Sequence, residues 1–346
     1  MHVPDGFIDA PISAATGVVA AAAVAVSLRG ARRELDERTA PLAGLVAAFI
    51  FAVQMLNFPV AAGTSGHLLG GALAAILVGP FTGVLCVSVV LLMQGILFAD
   101  GGLTALGVNI TDMAVVTTVV AYAVFRGLVK VLPRKRGSLT AASFVAAVLS
   151  VPAAAVTFTL IYAVGGTTDV SLGKVATAMI GVHVLIGIGE AVITALTVGA
   201  VVAVRPDLVY GARGLQQKLK LRVDGRLVDV PAEPAPVAAR SHRKVWITGL
   251  VTSLVLAGFV SFYASAAPDG LEKVASDKGI DARTEKHATA DSPLADYGVK
   301  DVEDARLSGG LAGVIGVGVT VVAGSTVFWV VRRRRTADTT PVGTGV

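Results

Sequence analysis

The first two residues of the chain, Met1 and His2, can together chelate a transition metal. A free terminal amine, the amide nitrogen of residue 2 and the Nδ1 atom of a histidine at that position close two rings around one ion. The amine has an ordinary pKa of about 7.7–8.0, so both it and the amide must lose protons to bind. Planar nitrogen coordination favours Ni²⁺ or Cu²⁺, accommodates Co²⁺ and disfavours Mg²⁺ and Ca²⁺. The alternative is that His2 is only the second residue of an ordinary start.

A second histidine, His67, lies in the segment GTSGHLLGG at residues 63–71. The predicted topology places it on the same side as Met1, where it offers a fourth nitrogen. Ser65 and the neighbouring glycines would let the backbone approach the ion and would orient the imidazole. The alternative is that these glycines allow close helix packing and that His67 caps a helix end.

Four further polar residues lie within apolar stretches. Asn109 and Asp112 are three residues apart, and His183 and Glu190 are seven apart, so each pair shares a helix face. Ionisable groups at membrane depth are costly and are usually functional or paired. We interpret the four as residues that support metal ligands from behind. In the structural alternative, His183 bonds a neighbouring span and Glu190 pairs with His183 or with a backbone group.

The composition defines the class of protein that must position these residues. Of the residues, 54% are hydrophobic and 15% are charged, and the mean hydropathy is +0.75. Soluble domains have roughly a quarter of their residues charged, so the chain is predicted to be a polytopic membrane protein surrounded by lipid. The sequence pI of about 9.4 would suit a nucleic-acid partner. However, the positive charge lies in short segments beside apolar spans, which membrane topology explains better, and no nucleic-acid partner is expected.

Windows of about 20 apolar residues predict nine membrane spans, of which the third is short enough to be tilted, re-entrant or buried by its neighbours. The predicted spans are residues 11–28, 41–60, 67–79, 82–99, 105–125, 139–163, 175–204, 245–266 and 308–331. The Lys- and Arg-rich segments are residues 29–38, 126–136, 205–244 and 332–335. Basic segments remain in the cytoplasm, and the opening ten residues carry none of the basic side chains of an export signal. We therefore expect the amino terminus outside the cell and the carboxyl terminus inside.

The chain divides near a Pro- and Ala-rich stretch, residues 230–243, which predicts an extended linker. Beyond it, the loop at residues 268–306 carries ten Asp and Glu against six Lys and Arg, a balance that would steer cations. The predicted parts are a membrane metal-binding domain (1–205), a cytoplasmic linker (206–244), an accessory domain with two spans (245–335) and a polar tail (336–346).

The motifs of several other chemistries are absent from the sequence. It contains no HExxH helix, no phosphate-binding GxxxxGK[ST] loop and a single cysteine, Cys86, so the chain cannot hydrolyse ATP itself. Two competing functions remain open at this point. One is an intramembrane metalloenzyme that uses His183 and Glu190, and the other is a stand-alone metal channel or secondary carrier.

Four long stretches, at residues 1–11, 51–80, 94–110 and 183–194, together resemble the CbiM/NikM substrate-binding component of energy-coupling-factor cobalt and nickel transporters. The PDGLE sequence at residues 268–272 resembles the small CbiN/NikN accessory component. The resemblance implies an all-α membrane fold in a bacterial or archaeal cell membrane. That fold would be a seven-helix core plus two carboxyl-terminal helices flanking an outer loop.

The resemblance also implies a ligand set and partners. The ligands of the transported Ni²⁺ or Co²⁺ would be the Met1 amine, the His2 amide and imidazole, and the His67 imidazole. The partners would be a transmembrane coupling (Q/T) subunit and cytosolic ATPase (O/A) subunits, so the chain would be a transporter component and not an enzyme. One departure is Thr111-Asp112, where family members commonly carry an aromatic residue and asparagine. If it faces the site, Asp112 adds a negative charge there.

Overall fold

A computed structural model describes residues 1–36, 39–61, 63–215, 220–223, 226–229 and 243–337. Most of the predicted linker at 230–243 and the end of the tail lie outside the described residues. The described helices are α1 (Ala10–Glu34), α2 (Thr39–Gln54), α3 (Gly71–Val78), α4 (Pro80–Met93), α5 (Leu106–Asn109), α6 (Thr117–Val131), α7 (Arg136–Gly165), α8 (Leu172–Val204), α9 (Arg243–Gly258), α10 (Gly270–Lys278) and α11 (Ala305–Ala337). The strands form two antiparallel hairpins, β1 (Phe58–Ala61) with β2 (Thr64–Gly66) and β3 (Lys220–Val223) with β4 (Arg226–Asp229).

Among the described residues, seven helical stretches are long and apolar enough to cross a membrane. Two of them contain π-helical turns: Gln94–Phe98 extends α4, and Ile110–Val116 joins α5 to α6. Single π-helical turns within α-helices are frequent at functional sites. Five of these stretches precede residue 205 and two follow it, and the shorter helices α2 and α3 bring the core to seven. The predicted all-α membrane fold, with a seven-helix core and two further helices after it, is confirmed.

Two of the nine predicted spans have the wrong extent. The second was predicted to reach residue 60, but α2 ends at Gln54 and the chain then enters β1, where Pro59 has no amide hydrogen to continue a helix. The third was predicted over residues 67–79, but α3 has only eight residues, all of them buried. A helix this short is tolerated because protein encloses it. Neighbouring protein groups can pair with its backbone polar groups, whereas lipid cannot. Gly70, at φ +90°, makes the turn into α3.

The accessory helices pack against α2. Helices α9 and α11 both contact it, and small residues allow a close approach: Gly44 of α2 faces Ser325, and Gly249 of α9 faces Leu45. Small residues at such interfaces are typical of membrane helix packing. The last two helices therefore form one bundle with the core.

The two ends of this bundle differ in charge. At one end, basic residues close α1 and α6 and open α7, and Arg136 Nη1 lies 3.4 Å from the Ala203 carbonyl oxygen in the last turn of α8. At the other end, the amino-terminal segment pairs with the turn after α7 through an Ile8–Gly166 bridge. The amino terminus and the basic helix ends thus lie at opposite ends of the bundle.

The acidic loop is a folded structure seated on the core. Its Glu285 amide donates to the Asp5 carbonyl at 3.0 Å, and the Ser292 hydroxyl donates to the Leu97 carbonyl at 2.6 Å. His287 of this loop is half-buried, with Nε2 3.1 Å from the Gly101 carbonyl oxygen. The loop therefore covers the end of the core where the amino terminus lies.

Candidate metal centre

The amino-terminal segment is fixed in place by the amide side chain of Asn109. The Val3 amide donates to Asn109 Oδ1 at 2.7 Å, and Asn109 Nδ2 donates to the Val3 carbonyl at 3.1 Å. The same carbonyl accepts from the Gly102 amide at 2.9 Å. Both backbone groups of residue 3 are thus paired, which sets the position of the two residues before it.

The Met1 amine lies between two side chains from distant parts of the sequence. Its nitrogen is 2.6 Å from His67 Nε2 and 2.7 Å from Asp269 Oδ2. His67 Nδ1 is 3.0 Å from the Leu68 carbonyl oxygen, and because a carbonyl only accepts, Nδ1 carries the proton in this pairing. The Nε2 atom then presents its lone pair to the site, as a metal-binding imidazole requires.

The His2 ring stacks on the His67 ring, with 5.1 Å between the centroids and 12° between the planes. Its Nδ1 lies 3.1 Å from Asp100 Oδ1, and its buried Nε2 has no hydrogen-bond partner among the described residues. Burial, partly opposed by Asp100, lowers the pKa of His2 to about 4, so the imidazole is neutral at physiological pH. The chelate predicted through Nδ1 requires this atom to exchange Asp100 for the ion.

Asp269 brings an oxygen ligand to the nitrogens. His2, His67 and Asp269 each offer one ligand atom within 4.8 Å of the others. Burial alone would raise the pKa of the Asp269 carboxyl, but the adjacent α-ammonium group and His67 hold it well below its usual range. The cluster therefore combines a charged carboxylate with two imidazoles and the terminal amine.

A chain of hydrogen bonds runs from His2 into the acidic loop. Asp100, which contacts His2, accepts from the Tyr297 hydroxyl at 2.6 Å, and that hydroxyl accepts from Gln94 Nε2 at 2.8 Å. Burial and the charge of Asp100 raise the pKa of Tyr297 well above its usual range, so the phenol remains a donor. Gln94 lies in the π-helical turn after α4, so this turn, the loop and the site are connected.

The cluster opens into a cavity of about 570 Å³. His2, His67, Asp100, Asp269 and Tyr297 are among its lining residues.

Residues 2–208 match the family described as the cobalt uptake substrate-specific transmembrane region, CbiM, and residues 243–333 match the PDGLE domain.

The chain belongs to the CbiM family. It is 44% identical over 125 residues to the fused nickel transport protein NikMN of Rhodobacter capsulatus, covering 36% of either chain. It is 35% identical over 217 residues to the cobalt transport protein CbiM of Sorangium cellulosum, covering 60% of this chain and 94% of that one. Among solved structures, a truncated transition metal transporter superposes with a TM-score of 0.52 at 28% identity, covering 59% of this chain and 99% of that one.

Within this CbiM-family fold, Glu190 is paired with backbone and not with His183. Its carboxylate accepts from the Leu69 amide at 2.6 Å and from the Gly70 amide at 3.2 Å. These two residues follow His67 closely, so Glu190 holds the loop that carries the histidine. His183 Nδ1 lies 2.7 Å from the Met179 carbonyl oxygen of its own helix, and its Nε2 has no partner among the described residues.

The structure gives Ser65 and Asp112 positions that the sequence did not indicate. Ser65 was expected to orient His67, but its hydroxyl donates to the Ala267 carbonyl at 2.7 Å and so binds the accessory segment. Asp112 is fully buried, and neither of its carboxylate oxygens has a hydrogen-bond partner in the part of the chain that the structure describes. Of the five predicted supporting residues, Asn109 and Glu190 hold backbone next to the cluster most directly.

Three residues of the candidate site were not predicted from the sequence: Asp100, Asp269 and Tyr297. The first two lie in stretches that carried the family resemblance: Asp100 in FADGG at residues 98–102 and Asp269 in PDGLE at residues 268–272. A carboxylate followed by glycine in each motif was the available signal. Tyr297 had no comparable signal, because a lone tyrosine in a polar loop has no defined role until the loop is folded.

Proposed function

We propose that the chain is the substrate-binding transmembrane component of an ATP-driven energy-coupling-factor importer for cobalt or nickel ions. It binds the ion at the outer face through the Met1 amine, His2 and His67. The convergence of the amine with His67 Nε2, at 2.6 Å and in a buried position, carries this proposal. A buried terminal amine beside a metal-ready imidazole is a costly arrangement that an ordinary chain start does not need.

The surrounding residues prepare the nitrogens for the ion. Asn109 fixes the backbone at Val3, Glu190 fixes the loop after His67, and the Leu68 carbonyl selects the His67 tautomer. Such partners of metal ligands typically contribute 10–100-fold in affinity. Binding releases protons from the amine and the amide, so it should strengthen as pH rises through the neutral range.

The nitrogen-rich donor set favours a transition metal over Mg²⁺ or Ca²⁺, because those two ions prefer oxygen ligands. Both Ni²⁺ and Co²⁺ suit it, and the relatives named above are nickel and cobalt transport proteins. Metal analysis of the purified chain, with an absorption spectrum, tests the proposal. A diamagnetic Ni²⁺ complex would indicate planar nitrogen coordination, and a parent chain that binds neither ion would overturn the function.

The charge difference between the two ends of the bundle supports an outward-facing amino terminus and a cytoplasmic carboxyl terminus. In a Cys86→Ala background, a cysteine at Ala290 of the acidic loop should react with an impermeant thiol reagent from outside. A cysteine at Ala235, which lies outside the described residues, should be protected. Labelling of both from one face would contradict this orientation.

The partners follow from the missing energy source. The chain has no ATP-binding motif, so we infer a transmembrane coupling (Q/T) subunit and cytosolic ATPase (O/A) subunits as separate chains. We propose the domain division given above: a metal-binding domain at residues 1–205, a linker at 206–244, an accessory domain at 245–335 and a tail at 336–346. Uptake that continues without any ATPase would instead favour a channel or secondary carrier.

The metalloenzyme alternative needs His183 and Glu190 to act together. In this fold Glu190 is bonded to two backbone amides and His183 to its own helix, so the pair lacks the mutual hydrogen bond of a catalytic dyad. Stoichiometric metal binding without turnover of any substrate would separate the two functions.

A further inference from the structure

The two carboxylate oxygens of Asp269 have different partners. Oδ1 accepts from the Glu272 amide at 2.8 Å, and Glu272 Oε2 accepts in return from the Asp269 amide at 2.9 Å. This reciprocal capping box fixes the start of α10. Oδ2 is left to face the Met1 amine at 2.7 Å and His67 Nε2 at 3.5 Å. The cap therefore aims one oxygen at the atoms that would bind the ion.

The segment before Asp269 is bonded to the strand that leads to His67. Ser65 donates its amide to the Pro268 carbonyl at 2.9 Å and its hydroxyl to the Ala267 carbonyl at 2.7 Å. These bonds place the accessory segment and the histidine at a fixed separation. The backbone that carries Asp269 is therefore held beside β2.

Gly270 permits this depth of insertion. A Cβ atom at position 270 would lie 2.8 Å from Ile186 Cδ1 and 3.2 Å from His183 Cε1, both closer than ordinary carbon contacts. Only glycine lets the start of α10 approach α8 so closely. The Asp-Gly pair of the PDGLE motif thus has a physical reason in this fold.

Asp269 Oδ2 lies beside ligand atoms that form a complete set without it. The proposed four nitrogens already fill a planar coordination sphere, whereas Oδ2 lies within 4.8 Å of the offered histidine nitrogens. The cavity that leads to the cluster is lined by four carboxylates: Asp100, Asp269, Glu272 and Asp296. An entering cation therefore meets oxygen ligands in the same cavity that His2 and His67 line.

We propose that Asp269 is a loading ligand: its Oδ2 binds the entering Ni²⁺ or Co²⁺ and passes it to the Met1, His2 and His67 nitrogens, then leaves the coordination sphere. This inference rests on the proposed function and assigns the accessory domain a chemical step within it. In the structure, Oδ2 is paired with the Met1 ammonium group. The ion replaces this group on Oδ2. The ammonium group and the His2 amide then each lose one proton to solvent as their nitrogens bind the ion.

The test is the rate at which the full-length chain in lipid nanodiscs binds Ni²⁺, followed by stopped-flow absorption. Asp269→Asn removes the charge but keeps a side chain that caps a helix start as well as aspartate does. It should slow association about tenfold, the lower range of electrostatic effects on association, and reach the parent's final spectrum. Asp269→Ser, another good capping residue, should behave in the same way.

Asp277→Asn is the matched control, because this carboxylate lies on the same helix, is exposed and pairs with Lys273. It should load at the parent rate. Loading of the Asp269 variants at the parent rate would overturn the proposal, and so would an altered final spectrum, which would make Asp269 a permanent ligand. His67→Ala distinguishes failure of the loading proposal from failure of the proposed function. If this variant binds Ni²⁺ like the parent, the proposed function itself fails.

Discussion

Two neighbouring stretches of the chain bury polar side chains with opposite results. At Asn109, the amide side chain bonds both backbone groups of Val3 across 106 residues of sequence. Three residues later, Asp112 is equally buried, yet its carboxylate oxygens have no hydrogen-bond partner among the described residues. From the sequence alone, Asn109 and Asp112 were both predicted to support the metal ligands.

The difference shows that burial by itself does not identify a functional group. What distinguishes Asn109 and Glu190 is that each pairs with backbone groups of a segment that carries a proposed metal ligand. Asp112 lies within the π-helical turn Ile110–Val116, so the regular α-helical spacing assumed for Asn109 and Asp112 does not hold between them. We therefore expect changes at Asn109 and Glu190 to alter metal binding and changes at Asp112 to have little effect.

The largest effect should come from the ligands that Asn109 positions. Insertion of one alanine between Met1 and His2 moves the amine by about 3.5 Å and enlarges the chelate ring. Affinity for Ni²⁺ and Co²⁺ should fall by about 100-fold or more, as expected when linked ligands can no longer bind together. Isothermal titration of the purified chain measures this, with mass spectrometry to verify the terminus.

The control for the insertion is His287→Ala, a histidine at the same end of the molecule that contacts the Gly101 carbonyl and lies outside the predicted ligand set. It should retain the parent's affinity. An insertion variant with the right terminus and undiminished affinity would exclude the terminal chelate.

Asn109→Leu should give the next largest effect. It leaves the Val3 amide and one bond of the Val3 carbonyl unpaired in a buried place, a cost of about 1–3 kcal/mol for each unsatisfied group. The amino-terminal segment should loosen, and Ni²⁺ affinity should fall about 10–100-fold. Asn109→Asp retains the acceptor for the Val3 amide and should lose less. Equal Ni²⁺ affinities for the two variants would argue against the proposal that Asn109 positions the amino-terminal segment through the Val3 backbone.

Glu190→Gln should weaken binding about tenfold, the low end for partners of metal ligands. Glutamine offers one acceptor oxygen where two backbone amides, of Leu69 and Gly70, require acceptors. The loop after His67 should become more mobile in the variant. Its backbone amides should therefore exchange hydrogen faster in the variant than in the parent. An affinity equal to the parent's, with unchanged exchange at this loop, would remove Glu190 from the site.

Asp112→Asn should have the smallest effect, with Ni²⁺ and Co²⁺ affinities close to those of the parent. The carboxylate makes no hydrogen bond among the described residues, so the change removes no visible interaction with the site. A change in the preference between the two ions would show that Asp112 acts on the site electrostatically, and the comparison with Asn109 would then fail.

The helical core could be predicted because membrane helices are long apolar runs with basic ends, features that need no knowledge of packing. The extent of α2 and α3 could not, since a short buried helix such as Gly71–Val78 is stable only when neighbours enclose it. His2 and His67 stood out as chemically distinct residues in short polar segments. Asp269 did not, because 202 residues separate it from His67 and only the folded chain brings them together, through the packing of α9 and α11 on α2 and of α10 on α8.

The contacts of Ser65 with residues 267 and 268 have a consequence for how the two domains cooperate. Since the accessory domain is part of the same polypeptide, its encounter with the metal-binding core does not depend on protein concentration. Two separate subunits would dissociate on dilution in the membrane, and their ratio would vary with expression. In the fused chain the ratio is fixed at one to one, and the local concentration of Asp269 at His67 stays the same however few copies the cell makes.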